Sequence, residues 1–350
     1  PDHVVVFQRP QVTAALVEPR DVDWETVTAA AAPAEAVPVD ATDPLYILYT
    51  SGTTGQPKGV VRDNGGHAVA LKWTMTNMYD IKPGEVFWAA SDVGWVVGHS
   101  YICYAPLLHG ATTIVFEGKP VGTPDAGTFW RVIQQHKVAA LFTAPTALRA
   151  IKREDPDGKL IPNYDLSSLR TGIMAGSTCP IEVMKRVIDD MHLAEMQIAY
   201  GMTETSPVST QTSADDDLER RVTSVGRTQP HLESKIVDEH GAVVPRGQIG
   251  ELCTRGYSVM LGYWNNPDAT REAIDGARWM HTGDLAVMDD EGYIKIVGRN
   301  KDMIIRGGEN VYPREIEEFL FTHPAVADVQ VIGVPDSKFG EEIVAWVKLH

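Results

Sequence analysis

The segment Thr50-Ser51-Gly52-Thr53-Thr54-Gly55-Gln56-Pro57-Lys58-Gly59 is the most informative stretch of the chain. It follows the apolar run Leu45-Tyr46-Ile47-Leu48-Tyr49, which predicts a buried strand. Glycines let a backbone approach a ligand closely, and exposed N–H groups, hydroxyls and a lysine together suit a polyphosphate. No Gly-Lys-Ser/Thr triplet follows the glycines, so the spacing is not that of the Walker loop. The segment indicates a phosphate-binding loop, and the alternative is a flexible surface turn.

The amino-acid composition limits the kinds of molecule that the protein is expected to bind. The chain has 350 residues, with 31 Lys and Arg against 47 Asp and Glu, a net charge of −16. This charge argues against a nucleic-acid partner, and an anionic substrate would need a local basic site. No apolar run approaches the roughly 20 residues of a membrane span, and no leader is recognised at Pro1, so the cytoplasm is the expected location. Cys103, Cys179 and Cys253 are far apart, which favours buried thiols over a metal site or disulfides.

Strand-like and helical patterns alternate from about residue 46 to residue 200. The apolar runs are residues 46–48, 86–89, 112–116, 138–142 and 197–200, and helical spacing is clear from Ile181 to Met191. Such alternation predicts an α/β fold with a mostly parallel sheet covered by helices on both faces. Ligands of these sheets lie beyond the carboxyl ends of the strands, where we expect the turns after Tyr49 and Tyr200.

Two other sequence patterns follow along the chain. Short runs at residues 233–237, 249–253, 285–288 and 293–297 predict a small antiparallel β unit, with a barrel as one possible form. Strands at 303–305 and 326–334 around a helix at 313–321 predict the start of a small α+β domain. We therefore divide the chain into residues 1–224, 225–300 and 301–350.

Near the start, a strand at 4–7 and a helix at 24–31 are expected. Both ends interrupt a strand pattern, so we expect the chain to be the middle of a longer protein.

Three further segments carry polar groups suited to a nucleotide. In Tyr200-Gly201-Met202-Thr203-Glu204-Thr205, the glutamate offers hard oxygen ligands to Mg²⁺. In Thr282-Gly283-Asp284, the carboxylate can accept hydrogen bonds from both ribose hydroxyls. In Gly298-Arg299-Asn300-Lys301-Asp302, the planar guanidinium can bind ribose and phosphate oxygens. The alternatives are a turn with a solvated glutamate, an aspartate in a β-turn, and a basic linker, respectively.

The four segments, in this order, resemble the adenylate-forming superfamily of acyl-CoA synthetases, luciferases and peptide-synthetase adenylation domains. The resemblance implies that the loop residues and Lys58 hold the β- and γ-phosphates, that Thr203 contacts phosphate and that Glu204 contacts Mg²⁺. It implies that Tyr200 stacks on adenine, that Asp284 and Arg299 hold the ribose, and that Lys301 is the hinge of a mobile C-terminal domain. The residues it assigns to nucleotide binding are Thr50, Ser51, Gly52, Thr53, Thr54, Gly55, Gly176, Ser177, Thr178, Tyr200, Gly201, Met202, Asp284 and Arg299.

The same resemblance suggests an acyl pocket lined by Val96, Val97 and Gly201, with His99 near the substrate carboxylate. For His99, a structural role is the alternative. Residues 43–165 resemble short-chain synthetases such as propionyl-CoA synthetase, whereas residues from Leu166 onward resemble medium-chain enzymes. Short-chain members have a tryptophan where Gly201 stands, so glycine should admit longer acids, at about 0.8 kcal/mol per buried CH₂. We hypothesise that the chain is a natural or recombinant mosaic with a seam near residues 164–169.

The expected activity is that of an AMP-forming acid–thiol ligase that uses ATP, Mg²⁺, CoA and a short- to medium-chain carboxylic acid. Lys58, Thr203, Glu204 and His99 are the expected catalytic residues. The family supplies a further lysine from late in its small domain, which this chain does not reach, so we expect weak adenylation by the chain alone. The alternatives are an adenylation domain that loads a carrier protein and a non-catalytic nucleotide-binding protein.

Overall fold

The computed structural model describes residues 1–50, 56–175, 195–206 and 208–349. The backbone divides into two units, Pro1–Asp40 and Ala41–His350. In the first unit, β1 (Val4–Val6) pairs in parallel with β2 (Asp21–Asp23), and α1 (Trp24–Ala30) follows. The Asp23 side chain caps this helix by accepting hydrogen bonds from the N–H groups of Glu25 and Thr26. The predicted strand and helix of this region are confirmed.

The largest sheet described in the second unit consists of β5 (Val86–Ala90), β6 (Thr112–Thr113), β7 (Val138–Thr143), β8 (Thr171–Met174), β9 (Glu195–Tyr200), β10 (Thr210–Gln211) and β11 (Arg227–Thr228). Their order in the sheet is β11-β10-β9-β8-β7-β5-β6. Pairing is parallel from β6 through β5, β7 and β8 to β9, and antiparallel from β9 to β10 and β11. The predicted α/β fold is confirmed. The sequence missed β8, and β6 is shorter than the predicted run at 112–116.

Helices cover this sheet on two faces. They are α2 (Asn64–Asn77), α3 (Val96–Gly98), a π-helical turn (His99–Tyr104), α4 (Ala105–His109), α5 (Thr128–His136), α6 (Pro145–Glu154) and α7 (Leu218–Thr223). Neighbouring residues of β5 point to opposite faces, so Trp88 packs with Phe129 and Trp130 of α5, whereas Phe87 packs with Leu71 of α2. Burial on both faces explains why these strands are continuously apolar. The helix predicted around Ile181 to Met191 lies outside the described residues.

The phosphate-loop segment lies in a different sheet from the one expected. Strand β3 (Pro44–Thr50) pairs antiparallel with β4 (Lys58–Asp63), and β14 (Gly262–Tyr263) completes the order β14-β4-β3. The prediction that this loop follows a strand of the parallel sheet is therefore wrong. The connection between the strands is too short for a parallel crossover, which needs a dozen or more residues. The prediction of a buried strand is also wrong, because Ile47 and Tyr49 are exposed.

The remaining strands form two antiparallel sheets. The first has the order β12-β13-β15-β16, with β12 (Glu233–Val237), β13 (Gly250–Arg255), β15 (Met280–Met288) and β16 (Ile294–Arg299). It confirms the predicted antiparallel unit. No pairing between β12 and β16 closes it into a barrel within the described residues. Helix α8 (Pro267–Ala273) precedes β15.

The C-terminal sheet has the order β18-β17-β20-β19. Its elements are β17 (Ile304–Arg306), β18 (Glu309–Val311), α9 (Pro313–Phe321), β19 (Val326–Asp336) and β20 (Gly340–Leu349). The predicted helix and strands of this α+β region are confirmed, whereas the domain boundaries at residues 224 and 300 stay predictions. Among the described helices, none has both the length and the apolarity to cross a membrane.

Candidate active site

Lys58 and Glu204 meet at one aromatic ring. Lys58 opens β4 and faces Thr50 across the hairpin, and its Nζ lies 4.9 Å from the ring centroid of Tyr263 in β14. The Tyr263 hydroxyl donates a hydrogen bond of 2.8 Å to Glu204 Oε1. Among the described residues, no carboxylate lies within 4.0 Å of the Lys58 ammonium, so this cation remains available to an anionic ligand.

Arg62 fixes the turn that carries Glu204. Its side chain is fully buried and lies on the same face of β4 as Lys58, four residues away. The guanidinium donates to the carbonyl oxygens of Ser258 at 2.7 Å and of Thr203 and Glu204 at 3.2 Å each. Burial lowers the pKa of Arg62 from its usual value. A planar group with several donors is suited to holding three carbonyls at once.

Glu204 is an enclosed carboxylate. It is 8% exposed, which excludes the alternative of a solvated glutamate in a surface turn. Burial, together with the neighbouring Glu204 carboxylate, raises the pKa of the Tyr263 hydroxyl well above its usual value. The phenol therefore stays protonated and remains a donor to the carboxylate. Thr203 lies in the same short turn, Thr203–Thr205, which follows the end of β9.

Tyr200, Asp284 and Arg299 form a second group. The Tyr200 hydroxyl donates to Asp284 Oδ2 at 2.6 Å, and Arg299 Nε lies 3.3 Å from Asp284 Oδ1. Asp284 and Arg299 are directly opposite each other on β15 and β16. Asp284 lies in a strand and is 8% exposed, so it is not a β-turn aspartate. Burial raises the pKa of Asp284, while Tyr200 and the Arg299 charge act in the opposite direction.

Glu251, which the sequence did not single out, supports the backbone next to Asp284. Gly283 adopts a positive φ of 71°, and its N–H donates to Glu251 Oε1 at 3.0 Å. The Asp284 N–H donates to Thr282 Oγ1 at 3.1 Å, and that hydroxyl donates to the Leu252 carbonyl at 2.7 Å. Glu251 could have been noticed only as a charged residue inside an apolar strand pattern.

His99, which was predicted to lie near the substrate carboxylate, belongs to a group of aromatic rings. His99 Nδ1 is 3.2 Å from the Val93 carbonyl oxygen, and its ring centroid is 4.5 Å from that of Tyr46 and 5.4 Å from that of Tyr104. The buried His67 joins this group, and burial together with the Arg62 charge lowers its pKa to about 3. His67 is therefore a neutral imidazole.

The other predicted residues are distributed as follows. Val96 and Val97 lie in α3, both half-buried, and Val97 packs against the apolar cluster that contains Phe87. Gly201 and Met202 are half-buried beside Tyr200, and Lys301 is exposed in the turn Asn300–Asp302. Thr50 Oγ1 lies 3.5 Å from the Lys58 carbonyl oxygen. Residues Ser51, Gly52, Thr53, Thr54, Gly55, Gly176, Ser177 and Thr178 lie outside the described residues.

The thiols are only partly as expected. Cys253 is buried, as predicted, but Cys103, which lies in the π-helical turn, is exposed. Burial raises the pKa of Cys253 to about 12, so this thiol is not a nucleophile at neutral pH. Cys179 lies outside the described residues.

Comparison with known proteins identifies the family of the chain. Residues 2–264 match the family of AMP-binding enzymes, and residues 315–350 match the C-terminal domain of AMP-binding enzymes. The chain belongs to the AMP-binding enzyme family, which confirms the resemblance to the adenylate-forming superfamily. The mosaic hypothesis stays a prediction.

Individual relatives are similar to the chain over most of its length. A putative acyl-CoA synthetase of Bacillus subtilis, YngI, is 48% identical over 331 residues, which are 93% of this chain and 58% of that protein. The mouse mitochondrial acyl-CoA synthetase short-chain family member 3 is 42% identical over 349 residues, 96% of this chain and 50% of that protein. The chain thus spans about half the length of the curated relatives it matches. The structure of the anthranilate CoA ligase AuaEII in complex with anthranoyl-AMP superposes with a TM-score of 0.87 at 26% identity, over 99% of this chain and 63% of that one.

Proposed function

We propose that the chain is part of an ATP-dependent acyl-CoA synthetase that activates a short- to medium-chain carboxylic acid. The observation that carries this proposal is the position of one short segment between two groups of contacts. Tyr200 reaches Asp284 and Arg299, and Glu204, four residues later, reaches Tyr263 and through it Lys58. An ATP molecule extended along this segment would meet a ribose-binding carboxylate at one end and a free cation at the other.

In the first half-reaction, a carboxylate oxygen of the acid attacks the α-phosphorus of ATP. A new O–P bond forms between this oxygen and the α-phosphorus. The bond between the α-phosphorus and the oxygen that bridges it to the β-phosphate breaks, and pyrophosphate leaves. Such a step needs alignment and charge neutralisation more than a nucleophile from the protein. Lys58 and the hydroxyls of the adjacent loop would hold the β- and γ-phosphate oxygens. His99 would lie close to the reacting carboxylate.

In the second half-reaction, the thiol of CoA attacks the acyl carbonyl carbon of the adenylate. The C–S bond forms, the thiol proton passes to solvent, and AMP leaves. The ribose hydroxyls would donate to Asp284, whose oxygens have lone pairs beyond those used by Tyr200 and Arg299. Lys301, in an exposed turn at the start of the C-terminal region, would be the hinge between the two half-reactions.

The residues fit a Mg²⁺ ion at Glu204. This carboxylate is enclosed and accepts one side-chain hydrogen bond from the described residues, that of Tyr263. Mg²⁺ commonly binds through one or two carboxylates together with substrate phosphates. When bound, the ion would neutralise the negative charge on the phosphate oxygens. Arg62 would keep the Glu204 backbone in place for this role.

Acyl chain length would be set by Val96, Val97 and Gly201. One relative is named for short-chain acids, and glycine at position 201 leaves room for more methylenes. We predict that Gly201→Trp shifts preference toward shorter acids, because each excluded CH₂ loses about 0.8 kcal/mol, or roughly fourfold in kcat/KM. The measurement is the ratio of kcat/KM for hexanoate to that for propionate. An unchanged ratio would remove Gly201 from the pocket.

The activity is tested by acid-dependent pyrophosphate release from ATP, followed by thioester formation with CoA or with a phosphopantetheinyl carrier protein. We expect slow release, measurable with stoichiometric protein, that is abolished by Glu204→Gln, and thioester formation with CoA only. Transfer to the carrier alone would identify a carrier-loading domain. Nucleotide binding without acid-dependent pyrophosphate release, in both this chain and a longer version, would identify a non-catalytic protein.

A further inference from the structure

Three side chains with metal-binding atoms converge on the face of the antiparallel sheet next to Asp284. Glu251 and Cys253 lie two residues apart on β13 and therefore point to the same face, and His281 on β15 is directly opposite Cys253. Cys253 Sγ is 3.6 Å from His281 Nδ1, and His281 Nδ1 is 2.8 Å from Glu251 Oε2. The three ligand atoms all lie within 4.8 Å of one another.

One of these separations, sulfur to nitrogen, is that of a tetrahedral metal centre, and the carboxylate would have to shift to complete the geometry. Zinc–sulfur and zinc–nitrogen bonds of about 2.3 and 2.0 Å at a tetrahedral angle place the two ligand atoms about 3.6 Å apart. The distance between Cys253 Sγ and His281 Nδ1 has this value. The corresponding nitrogen–oxygen separation is about 3.3 Å, so the Glu251 carboxylate would move away from His281 by about half an ångström.

Two of the three ligands, Glu251 and His281, also have an outer polar group close to them. The second oxygen of Glu251 accepts the Gly283 N–H at 3.0 Å. His281 Nε2 lies 4.0 Å from Asp275 Oδ2, and the other oxygen of Asp275 is held by the N–H groups of Ala277 and Trp279. A hydrogen bond from an outer group orients a carboxylate ligand, as the Gly283 N–H does for Glu251, whereas Asp275 is too far from His281 for a hydrogen bond and acts on it only through its charge.

We propose that Cys253 Sγ, His281 Nδ1 and a Glu251 oxygen bind a borderline divalent metal ion of the Zn²⁺ type, with a fourth position open to water. A thiolate and an imidazole favour Zn²⁺ over Mg²⁺, which takes oxygen ligands. On binding, the Cys253 thiol gives up its proton to solvent, and His281 binds as the neutral tautomer with its proton on Nε2. This site is separate from the proposed Mg²⁺ position at Glu204 and does not depend on the proposed synthetase activity.

The test is a titration of the metal-free chain with Co²⁺, a spectroscopic substitute for Zn²⁺, in a reductant that does not bind metals. We expect one equivalent to bind, with visible tetrahedral Co²⁺ bands and a near-ultraviolet charge-transfer band from the thiolate, and Zn²⁺ to remove both. Cys253→Ser should abolish the charge-transfer band, and His281→Gln should weaken Co²⁺ binding at least tenfold. Cys103→Ser and Cys179→Ser are the matched thiol controls and should keep the band.

The proposal is overturned if saturating Co²⁺ gives no charge-transfer band, if the band survives Cys253→Ser, or if either control variant loses it. Far-ultraviolet circular dichroism establishes that each variant is folded. Should Cys253→Ser fail to fold, the half-exposed His281 decides the question, and unchanged Co²⁺ affinity in a folded His281→Gln variant overturns the site.

Discussion

At the scale of single residues, Arg62 connects the strand after the phosphate loop to the turn that carries Glu204. We predict that Arg62→Ala lowers the free energy of unfolding by about 3 kcal/mol or more, because it removes the donor to the Ser258 and Thr203 carbonyl oxygens and opens a cavity. Urea unfolding measures this loss. Arg153→Ala is the control, since that side chain is 69% exposed and its loss should cost less than about 0.5 kcal/mol. Equal losses in both variants would contradict the role of Arg62.

The buried His67 should make the free energy of unfolding depend on pH. Its pKa is about 3 in the folded protein, against a usual value of 6.5, so between these pH values the unfolded chain binds a proton that the folded protein does not. Stability should therefore fall as pH falls from 6.5 toward 3, by up to about 1.4 kcal/mol per pH unit from this group. The measurement is urea unfolding from pH 7.5 to 4.5 for the protein and for His67→Gln.

The expected outcome is a shallower loss of stability on acidification for His67→Gln. His240→Gln, at an exposed position, is the control and should leave the slope of the protein unchanged. Identical slopes for the protein and His67→Gln would show that His67 is not held neutral.

The sequence selected polar residues for the candidate site where they stand in a local motif. Tyr200, Glu204, Asp284 and Arg299 were all selected, and the structure brings them into two groups of contacts. Tyr263 was missed because its role arises from pairing between β14 and β4, two strands about 200 residues apart. The sequence around Tyr263 contains no pattern that indicates this strand pairing. Whether the selected residues bind a nucleotide stays a prediction.

At the scale of elements, strand β15 carries Asp284 beyond a glycine with positive φ. Gly283 and Gly292 have φ values of 71° and 86°, and a Cβ added at either would meet nothing within 4 Å. We predict that Gly283→Ala and Gly292→Ala each lower the free energy of unfolding by about 1–2 kcal/mol, the cost of the left-handed conformation for a residue with a Cβ.

Only Gly283→Ala should weaken ATP binding, because Gly283 holds Glu251 and precedes Asp284, whereas Gly292 lies in the turn before β16. Isothermal titration calorimetry of both variants makes this comparison. Similar ATP affinities in the two variants would mean that the backbone at Gly283 does not position Asp284 for its proposed role in binding the ribose.

The pattern of apolar residues predicted where strands occur but not how they pair. Strands β5, β7 and β9 were predicted because their apolar runs are bounded by helical patterns. The antiparallel pairing of β3 with β4 was missed, since an apolar run gives no direction of pairing; the short connection after Thr50 was the signal that a hairpin follows. Likewise, the ligands of the proposed metal site come from two strands, so no cysteine motif in the sequence announces them.

At the scale of the whole molecule, a chain of net charge −16 has to receive a polyanion. It does so, on our account, by local means: Lys58 has no carboxylate partner among the described residues, and Arg299 lies beside Asp284. The parallel sheet and the two later antiparallel sheets were predictable because each has its own sequence pattern, whereas the three-stranded sheet of the phosphate-loop hairpin was not. The contact between Tyr263 and Glu204, which joins the sheet of the phosphate-loop hairpin to the turn after β9, was not predictable, because the two residues are far apart in the chain.

The most direct test of the central claim compares the binding of ATP and AMP to three forms of the chain by isothermal titration calorimetry. If one nucleotide spans both groups of contacts, Lys58→Gln should weaken ATP binding about tenfold or more and leave AMP binding within about twofold, because AMP lacks the β- and γ-phosphates. Asp284→Asn should weaken both ligands by a similar factor, because both contain the ribose. Equal effects of Lys58→Gln on ATP and AMP, or no effect of Asp284→Asn on either, would contradict the account.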